Sequence, residues 1–204
     1  MNILHVLASP RGPAAESYQL SLKIVAHLLA KEPGARVVQR VLSGEVPPHI
    51  DSDYAFAQHA ASAATSPEGS LALSDTLIAE LKAADVVVIG TPMHNTSVPS
   101  ALKAWIDHIV RARVTFDITA QGKVGLLHDR PVYIAVASGG RFTGEHARQP
   151  DFLTPYLTYV LDMIGLRDVT FFTVQGTVMP ADVLAQARAT TDHAMREHFA
   201  STPA

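Results

Sequence analysis

One stretch, from Asp85 to Arg113, constrains the fold of this chain more than any other. An unbroken apolar run at 86–89 ends at Gly90, and a short polar turn then leads into a segment with apolar residues at helical spacing. A buried strand that continues through a loop into a helix is the half-unit of a parallel sheet. Because ligands of such sheets bind in the loops at the carboxyl ends of the strands, the turn at 92–97 is expected to form part of any functional site.

The same alternation of apolar runs and helical spacings continues along the rest of the chain. Five strands alternating with helices predict a parallel sheet with helices on both faces. Right-handed crossovers favour a doubly wound, flavodoxin-like α/β fold with strand order 2-1-3-4-5. The predicted strands cover residues 3–8, 37–42, 86–89, 131–138 and 169–174, and the predicted helices cover 17–30, 51–64, 70–83, 99–109, 152–164 and 180–199.

Composition narrows the classes of function. A length of 204 residues fits one domain, expected to span 1–204, and a formal net charge of −3 gives no reason to expect nucleic acid or an anionic membrane as a partner. The absence of cysteine excludes disulfides, thiolate metal sites and cysteine catalysis. The apolar N-terminus has no basic region and is too short for a signal peptide or a spanning helix, so a cytoplasmic location is expected.

Motifs of metal and hydrolase chemistry are missing from the sequence. None of the ten histidines belongs to an H-E-x-x-H motif, and His193 and His198 are five residues apart, so no metal site is predicted. No G-x-S-x-G elbow supports a serine hydrolase. Trp105 is expected in the core or in a dimer interface, whereas Arg111 and Arg113, in the turn after the helix, are expected to face solvent.

The loop after the first strand offers groups for an anion. It carries Ser9 and Arg11 and leads to Ser17 at the start of a helix. Backbone N–H groups at a helix start, together with serine hydroxyls, suit a phosphate monoester. The alternative is that Ser17 only caps the helix. The loop matches neither G-x-G-x-x-G nor G-x-x-x-x-G-K-[ST], so a dinucleotide site or a P-loop is not supported.

The loops after the third and fourth strands suit a flat heterocycle. Asn95 can donate and accept hydrogen bonds beside Met93 and His94, although an asparagine-mediated turn is an equally simple interpretation. Gly139 and Gly140 allow the backbone to approach a ligand closely, or they only end a strand. A mononucleotide with a planar ring and a terminal phosphate fits all three loops, and FMN is the cofactor that this arrangement holds most naturally.

Six pieces of the sequence together resemble one family. The chain resembles the FMN-dependent NAD(P)H:quinone oxidoreductases, also called azoreductases, over nearly its whole length. The pieces that carry the resemblance are Ser9-Pro10-Arg11 with Ser17, the run from Leu73 to Asp85, Pro92-Met93-His94-Asn95 followed by Leu102-Lys103, Val114-Thr115-Phe116, Ser138-Gly139-Gly140, and Thr154-Pro155-Tyr156-Leu157.

The resemblance implies a cofactor, an assembly and a reaction. FMN would be tightly bound, one per subunit of a homodimer, with NAD(P)H as a transient co-substrate and quinones and azo compounds as acceptors in ping-pong chemistry at the flavin N5. It implies no catalytic side chain. The cofactor-binding residues implied are Ser9, Arg11, Glu16, Ser17, Pro92, Met93, His94, Asn95, Thr96, Ala137, Ser138, Gly139 and Gly140. The substrate pocket implied contains Thr96, Phe116, Ile118 and Met163.

The sequence also departs from the family pattern. Ala15 stands where a hydroxyl residue is frequent, so the phosphate is expected to depend more on backbone N–H groups. His94 and Thr96 stand where aromatic residues are common, and the polar loop at 141–150 is longer than usual and expected to be mobile. Aromatic residues are also found in some relatives at the positions of Ile118 and Met163.

Two other classes of function remain open. One is a flavodoxin-type FMN electron carrier without small-molecule turnover, against which the modest charge and the excursion at 112–130 argue. The other is a flavin-free nucleotide-binding regulator. The sequence indicates no preference between NADH and NADPH, because no ribose-reading acid or arginine can be placed.

Overall fold

The computed structural model describes residues 1–44, 46–58 and 68–201. Its strands are β1 (Asn2–Leu7), β2 (Arg36–Val41), β3 (Val86–Pro92), β4 (Phe116–Thr119), β5 (Gly122–Gly125), β6 (Val132–Ser138) and β7 (Val169–Gln175). The helices of the described part are α1 (Glu16–Lys31), α2 (Ser52–Gln58), α3 (Gly69–Ala83), α4 (Ser100–Ile109), α5 (Thr154–Met163) and α6 (Ala181–Ser201), and a short 3-10 turn, Gly12–Ala14, precedes α1.

Five of the strands form one parallel sheet in the order β2-β1-β3-β6-β7. The predicted flavodoxin-like sheet is thereby confirmed, although the numbering in the predicted order 2-1-3-4-5 differs. The difference comes from β4 and β5, which pair with each other as an antiparallel hairpin between the third and fourth strands of the sheet.

The hairpin was not predicted because its two strands are short, with four residues each. Apolar and polar residues alternate in β4, but β5 begins and ends with glycine and has Val124 as its only apolar side chain, so no second strand is evident for β4 to pair with. The turn residues at 120–121 are Ala and Gln rather than an Asn-Gly pair. Gly122, with a φ of +115°, supplies the left-handed backbone that closes the turn.

Two hydrophobic clusters cover the two faces of the sheet. Successive residues of a strand point to opposite faces, so Ile3 joins the cluster beneath α1 and α6, whereas Leu4 joins the cluster beneath α3, α4 and α5. Trp105 lies in the second cluster at 1% exposure, which confirms its expected place in the core. The layers bring the loops after β1, β3 and β6 to one edge of the sheet.

The prediction that Arg111 faces solvent is wrong. Its side chain is buried, pairs with the Asp75 carboxylate, and donates to the Ser74 Oγ over 2.9 Å. Arg113 is half-buried and donates to the Gln58 carbonyl over 3.1 Å. The chain turns back onto α3 directly after α4, so residues that follow the helix are covered by its neighbour.

The predicted helix at 51–64 is present as α2 in its first half, and residues 59–64 lie outside the described residues. No helix in the described part of the chain is long and apolar enough to cross a membrane.

Candidate functional site

The three predicted loops meet in one cavity of about 420 Å³ at the carboxyl edge of the sheet. Two larger grooves, of about 840 and 800 Å³, flank the edge strand β7 and contain none of the predicted cofactor-binding residues. A fourth segment, which leads into α6, also lines the cavity. The lining residues are Ser9, Pro10, Arg11, Ala14, Ala15, Glu16, Ser17, Pro92, Met93, His94, Ala137, Gly139, Thr177, Val178, Leu184 and Arg188.

One end of the cavity, here called the α1 end, is formed by residues 9–17 and Arg188. Ser17, the second residue of α1, is fully buried, and its Oγ has no hydrogen-bond partner among the residues that the structure describes. The helix N-cap is Ala15, which makes no side-chain cap bond, so the interpretation of Ser17 as a cap is wrong. A buried hydroxyl without a partner is costly, by about 1–3 kcal/mol, and because Ser17 lines the cavity a bound ligand can supply the missing hydrogen bond.

Charge at the α1 end favours an anion. Arg11 and Arg188 contribute two positive charges and Glu16 one negative charge to the cavity lining. The Arg188 guanidinium donates from Nε to Glu16 Oε1 over 2.8 Å and from Nη2 to Glu16 Oε2 over 2.5 Å. These hydrogen bonds to the Glu16 carboxylate raise the pKa of Arg188 above its ordinary value.

Close packing between α1 and β3 sets the position of the helix start. A Cβ on Gly90 would lie 2.7 Å from the Ser21 Oγ and 3.0 Å from the Ser17 carbonyl oxygen, so only glycine permits this approach. The Ser21 hydroxyl donates to the Tyr18 carbonyl over 2.8 Å and lies 2.8 Å from the Nε2 of His5. Burial lowers the pKa of His5 to about 4, so the imidazole is neutral at pH 7.

The other end of the cavity, here called the turn end, is formed by Pro92, Met93, His94, Ala137 and Gly139, which belong to the segments 92–97 and 137–140. Reciprocal backbone bonds of 2.9 Å join His94 and Ser97. Asn95 and Thr96 between them have φ values of +48° and +66°, as in a tight two-residue turn. Neither of these two lines the cavity, and the turn interpretation of Asn95 is supported. The Ser97 N–H, a possible donor to a ring, is already bonded to the His94 carbonyl.

Gln149 enters the turn end from the loop at 141–150. Its Nε2 donates to the Ser138 Oγ over 3.0 Å and contacts the Met93 sulfur at 3.1 Å. A Cβ on Gly140 would lie 2.4 Å from the Gln149 Oε1, so the glycine makes room for this amide. Ser138 and Gly140 therefore contact Gln149 and do not line the cavity.

The predicted substrate-pocket residues lie away from the cavity lining. Phe116 is buried at the start of β4, and Ile118 is 66% exposed on the same strand. Met163 is half-buried at the end of α5, where its sulfur lies 3.4 Å from the Lys123 Nζ. Thr96, the fourth of them, belongs to the tight turn.

The structure therefore brings together nine of the predicted cofactor-binding residues and adds others. The nine are Ser9, Arg11, Glu16, Ser17, Pro92, Met93, His94, Ala137 and Gly139, and the four that stand outside the lining are Asn95, Thr96, Ser138 and Gly140. Sequence reasoning missed Thr177, Val178, Leu184 and Arg188 in the lining. These four belong to the segment around the start of α6, where no local motif marks them.

Comparison with known proteins gives one consistent result. A family model described as "Flavodoxin-like fold" matches residues 1–199. The chain is 45% identical over 194 residues to FMN-dependent NADH:quinone oxidoreductase 4 of Pseudomonas fluorescens (95% of this chain and 91% of that protein), and 47% identical over 186 residues to FMN-dependent NADH:quinone oxidoreductase 5 of Burkholderia lata (91% and 90%).

Among solved structures, the chain is similar to an FMN-dependent NADH-azoreductase from Bacillus anthracis in complex with FMN. The TM-score is 0.74 at 26% identity, and the match covers 98% of this chain and all of that one.

Proposed function

Because the chain belongs to the flavodoxin-like family of FMN-dependent NADH:quinone oxidoreductases, we propose that it is an FMN-dependent NAD(P)H:quinone oxidoreductase with azoreductase activity. Residues 1–204 form a single FMN-binding domain in this proposal. The names of the relatives favour NADH as the co-substrate.

The observation that carries the proposal is the buried, unpartnered hydroxyl of Ser17 in the wall of the cavity. A phosphate oxygen is the acceptor that this hydroxyl lacks, and the start of α1 adds backbone N–H groups and the positive end of the helix dipole. Ser9 and Arg11 lie in the same lining. The residues present at the α1 end therefore fit the phosphate of FMN.

The turn end would hold the ring system. Met93 and Ala137 are buried, and the Met93 N–H donates to the Ala137 carbonyl over 2.8 Å, which fixes the two loops against each other. Apolar side chains at such a surface exclude water from one face of a planar ring. His94 lies exposed at the opening.

FMN supplies two-electron chemistry when bound, accepting a hydride from NAD(P)H and then reducing a quinone or an azo compound. The protein contributes binding, orientation and exclusion of water. We assign no acid–base role to a side chain, because the flavin itself carries the redox chemistry.

We include a homodimer in the proposal. The hairpin exposes three aliphatic side chains, Ile118, Val124 and Leu126, at 66%, 45% and 47%. A second copy of the chain is the partner expected to cover them. The predicted substrate-pocket residues Phe116 and Ile118 would then lie at a subunit interface, and the acceptor pocket would be formed in the dimer.

The experiment is an anaerobic titration of the FMN-loaded protein with NADH and NADPH, followed by a panel of quinones and azo compounds. Bleaching of the visible flavin absorption on adding the nicotinamide, and its return on adding an acceptor, are expected. The proposal would be contradicted if the purified protein is colourless and does not quench the fluorescence of added FMN.

The same titration separates the oxidoreductase from an electron carrier. A flavodoxin-type carrier would bind FMN and yet remain oxidised in the presence of either nicotinamide. Sedimentation analysis of wild-type protein and of Ile118→Asp tests the assembly, for which a dimer and a monomer, respectively, are expected.

A further inference from the structure

Glu16 places a negative charge in the part of the cavity where the phosphate would bind. It is the first residue of α1 and lines the cavity together with Ser9 and Ser17. Its side chain is only 18% exposed, so water screens the carboxylate only partly. A carboxylate near a phosphate dianion repels it unless another group neutralises the carboxylate.

Arg188 is the group that neutralises Glu16. The two residues are 172 positions apart in sequence, and both oxygens of the Glu16 carboxylate accept from the guanidinium. Such a two-bond fork fixes the orientation of the carboxylate as well as its charge. The pair therefore joins the start of α1 to α6 at the wall of the cavity.

We propose that Arg188 is a positioning residue that allows the α1 end to accept a phosphorylated flavin, by neutralising Glu16 and holding its carboxylate. The inference rests on the proposed function. Removal of Arg188 leaves a poorly solvated negative charge in the wall, and this charge acts against FMN but not against riboflavin, which has no phosphate. Removal of both partners removes the repulsion again.

A second ion pair provides a matched control. Lys23 and Asp192 also join α1 to α6, with 2.7 Å between Nζ and the carboxylate, but neither residue lines this cavity. Lys23→Gln therefore removes a helix–helix tie of the same kind without changing the charge at the α1 end.

The test is a flavin-fluorescence titration of flavin-stripped protein with FMN and, separately, with riboflavin. For Arg188→Gln we expect FMN affinity to fall about 10-fold or more, a loss that shrinks with added salt, while riboflavin affinity changes less than about 2-fold. Glu16→Gln/Arg188→Gln should return to within about 3-fold of the wild-type affinity for FMN, and Lys23→Gln should match wild type.

Three results would overturn the inference. They are wild-type FMN affinity in Arg188→Gln, an equal loss for FMN and riboflavin, and a double variant as weak as Arg188→Gln, since Arg188 would then contact the phosphate itself. If Arg188→Gln does not fold by circular dichroism, the double variant decides alone, because it must bind FMN nearly as wild type does. Wild-type protein that binds neither flavin would instead contradict the proposed function.

Discussion

At the α1 end of the cavity a buried serine hydroxyl lies on a helix, whereas a tight two-residue turn follows the residues of the turn end. Ser17 is fully buried on a helix that packs against β3 through Gly90. Thr96, in contrast, has a left-handed backbone in an exposed turn. The α1 end is thus pre-organised for a constant group such as a phosphate, and the turn end can vary with the acceptor.

Ser17→Ala tests this difference between the two ends and has the largest expected effect. Loss of a hydrogen bond to a charged phosphate should weaken FMN binding about 10- to 100-fold. The flavin-free protein should keep its free energy of unfolding or gain about 1 kcal/mol, because a buried hydroxyl without a partner is removed. Fluorescence titration and urea unfolding measure the two quantities.

Ser21→Ala is the control one turn along the same helix. The Ser21 hydroxyl is already bonded to Tyr18 and lies against His5, so its loss should lower the free energy of unfolding by about 1–2 kcal/mol and leave FMN affinity within about 2-fold. A Ser17→Ala variant that binds FMN as wild type does would show that the α1 end is not the phosphate site.

Low pH should lower the free energy of unfolding through His5, which packs beneath the α1 end. His5 has a pKa of about 4 in the folded protein and about 6.5 when unfolded, so the unfolded chain binds a proton first as the pH falls. The stability that neutral His5 preserves is therefore complete above pH 6.5 and is lost progressively down to pH 4. Between pH 7 and pH 5 this group alone should lower the free energy of unfolding by about 2 kcal/mol.

Urea unfolding of wild type and of His5→Gln at pH 7 and pH 5 measures the contribution of His5 to the pH dependence of stability. Glutamine keeps an amide near the Ser21 hydroxyl but does not titrate, so the pH dependence should shrink by about 2 kcal/mol in the variant. Equal pH dependence in wild type and His5→Gln would show that another group causes the acid sensitivity.

The two ends also differ in how far the sequence predicts them. Strand, loop and helix follow one another locally around residues 9–17, so the pattern of apolar residues was enough to place Ser9 and Ser17 at one edge of the sheet. Arg188 reaches the cavity only through the packing of α6, and Gln149 contacts Ser138 only through the packing of a loop. Periodicity describes which face of an element is buried, but it carries no information about which distant side chain contacts it.

Errors in the prediction have the same origin. Arg111 was expected to face solvent because charged residues after a helix usually do, yet α3 covers it and supplies the Asp75 carboxylate. The left-handed backbone at Thr96 was also not predicted, because a β-branched residue is among the least suited to it. A tertiary contact overrode the local preference at Arg111, and the backbone bonds between His94 and Ser97 overrode it at Thr96.

Thr96→Gly tests the segment that adjoins the turn end. It creates an Asn-Gly pair at the two positions of positive φ, the pair that such turns favour. Relief of the left-handed strain should raise the free energy of unfolding by about 1 kcal/mol, although the Thr96 hydroxyl loses its bond to the Asn95 carbonyl. Asn95→Gly, at a residue that tolerates this backbone, should change stability by less than about 0.5 kcal/mol.

Substitution beside the turn end should change the kinetics with the acceptor, whereas substitution at the α1 end should change FMN affinity. Thr96→Gly should keep FMN affinity within about 2-fold, because Thr96 does not line the cavity, and should change the KM for quinones, because Thr96 is one of the predicted substrate-pocket residues. Steady-state kinetics with two quinones of different size, beside fluorescence titration of the same preparation, separate the two readouts. If FMN affinity fell as far in Thr96→Gly as in Ser17→Ala, the division of the cavity into a constant and a variable end would be wrong, because both ends would then bind the cofactor with the same stringency.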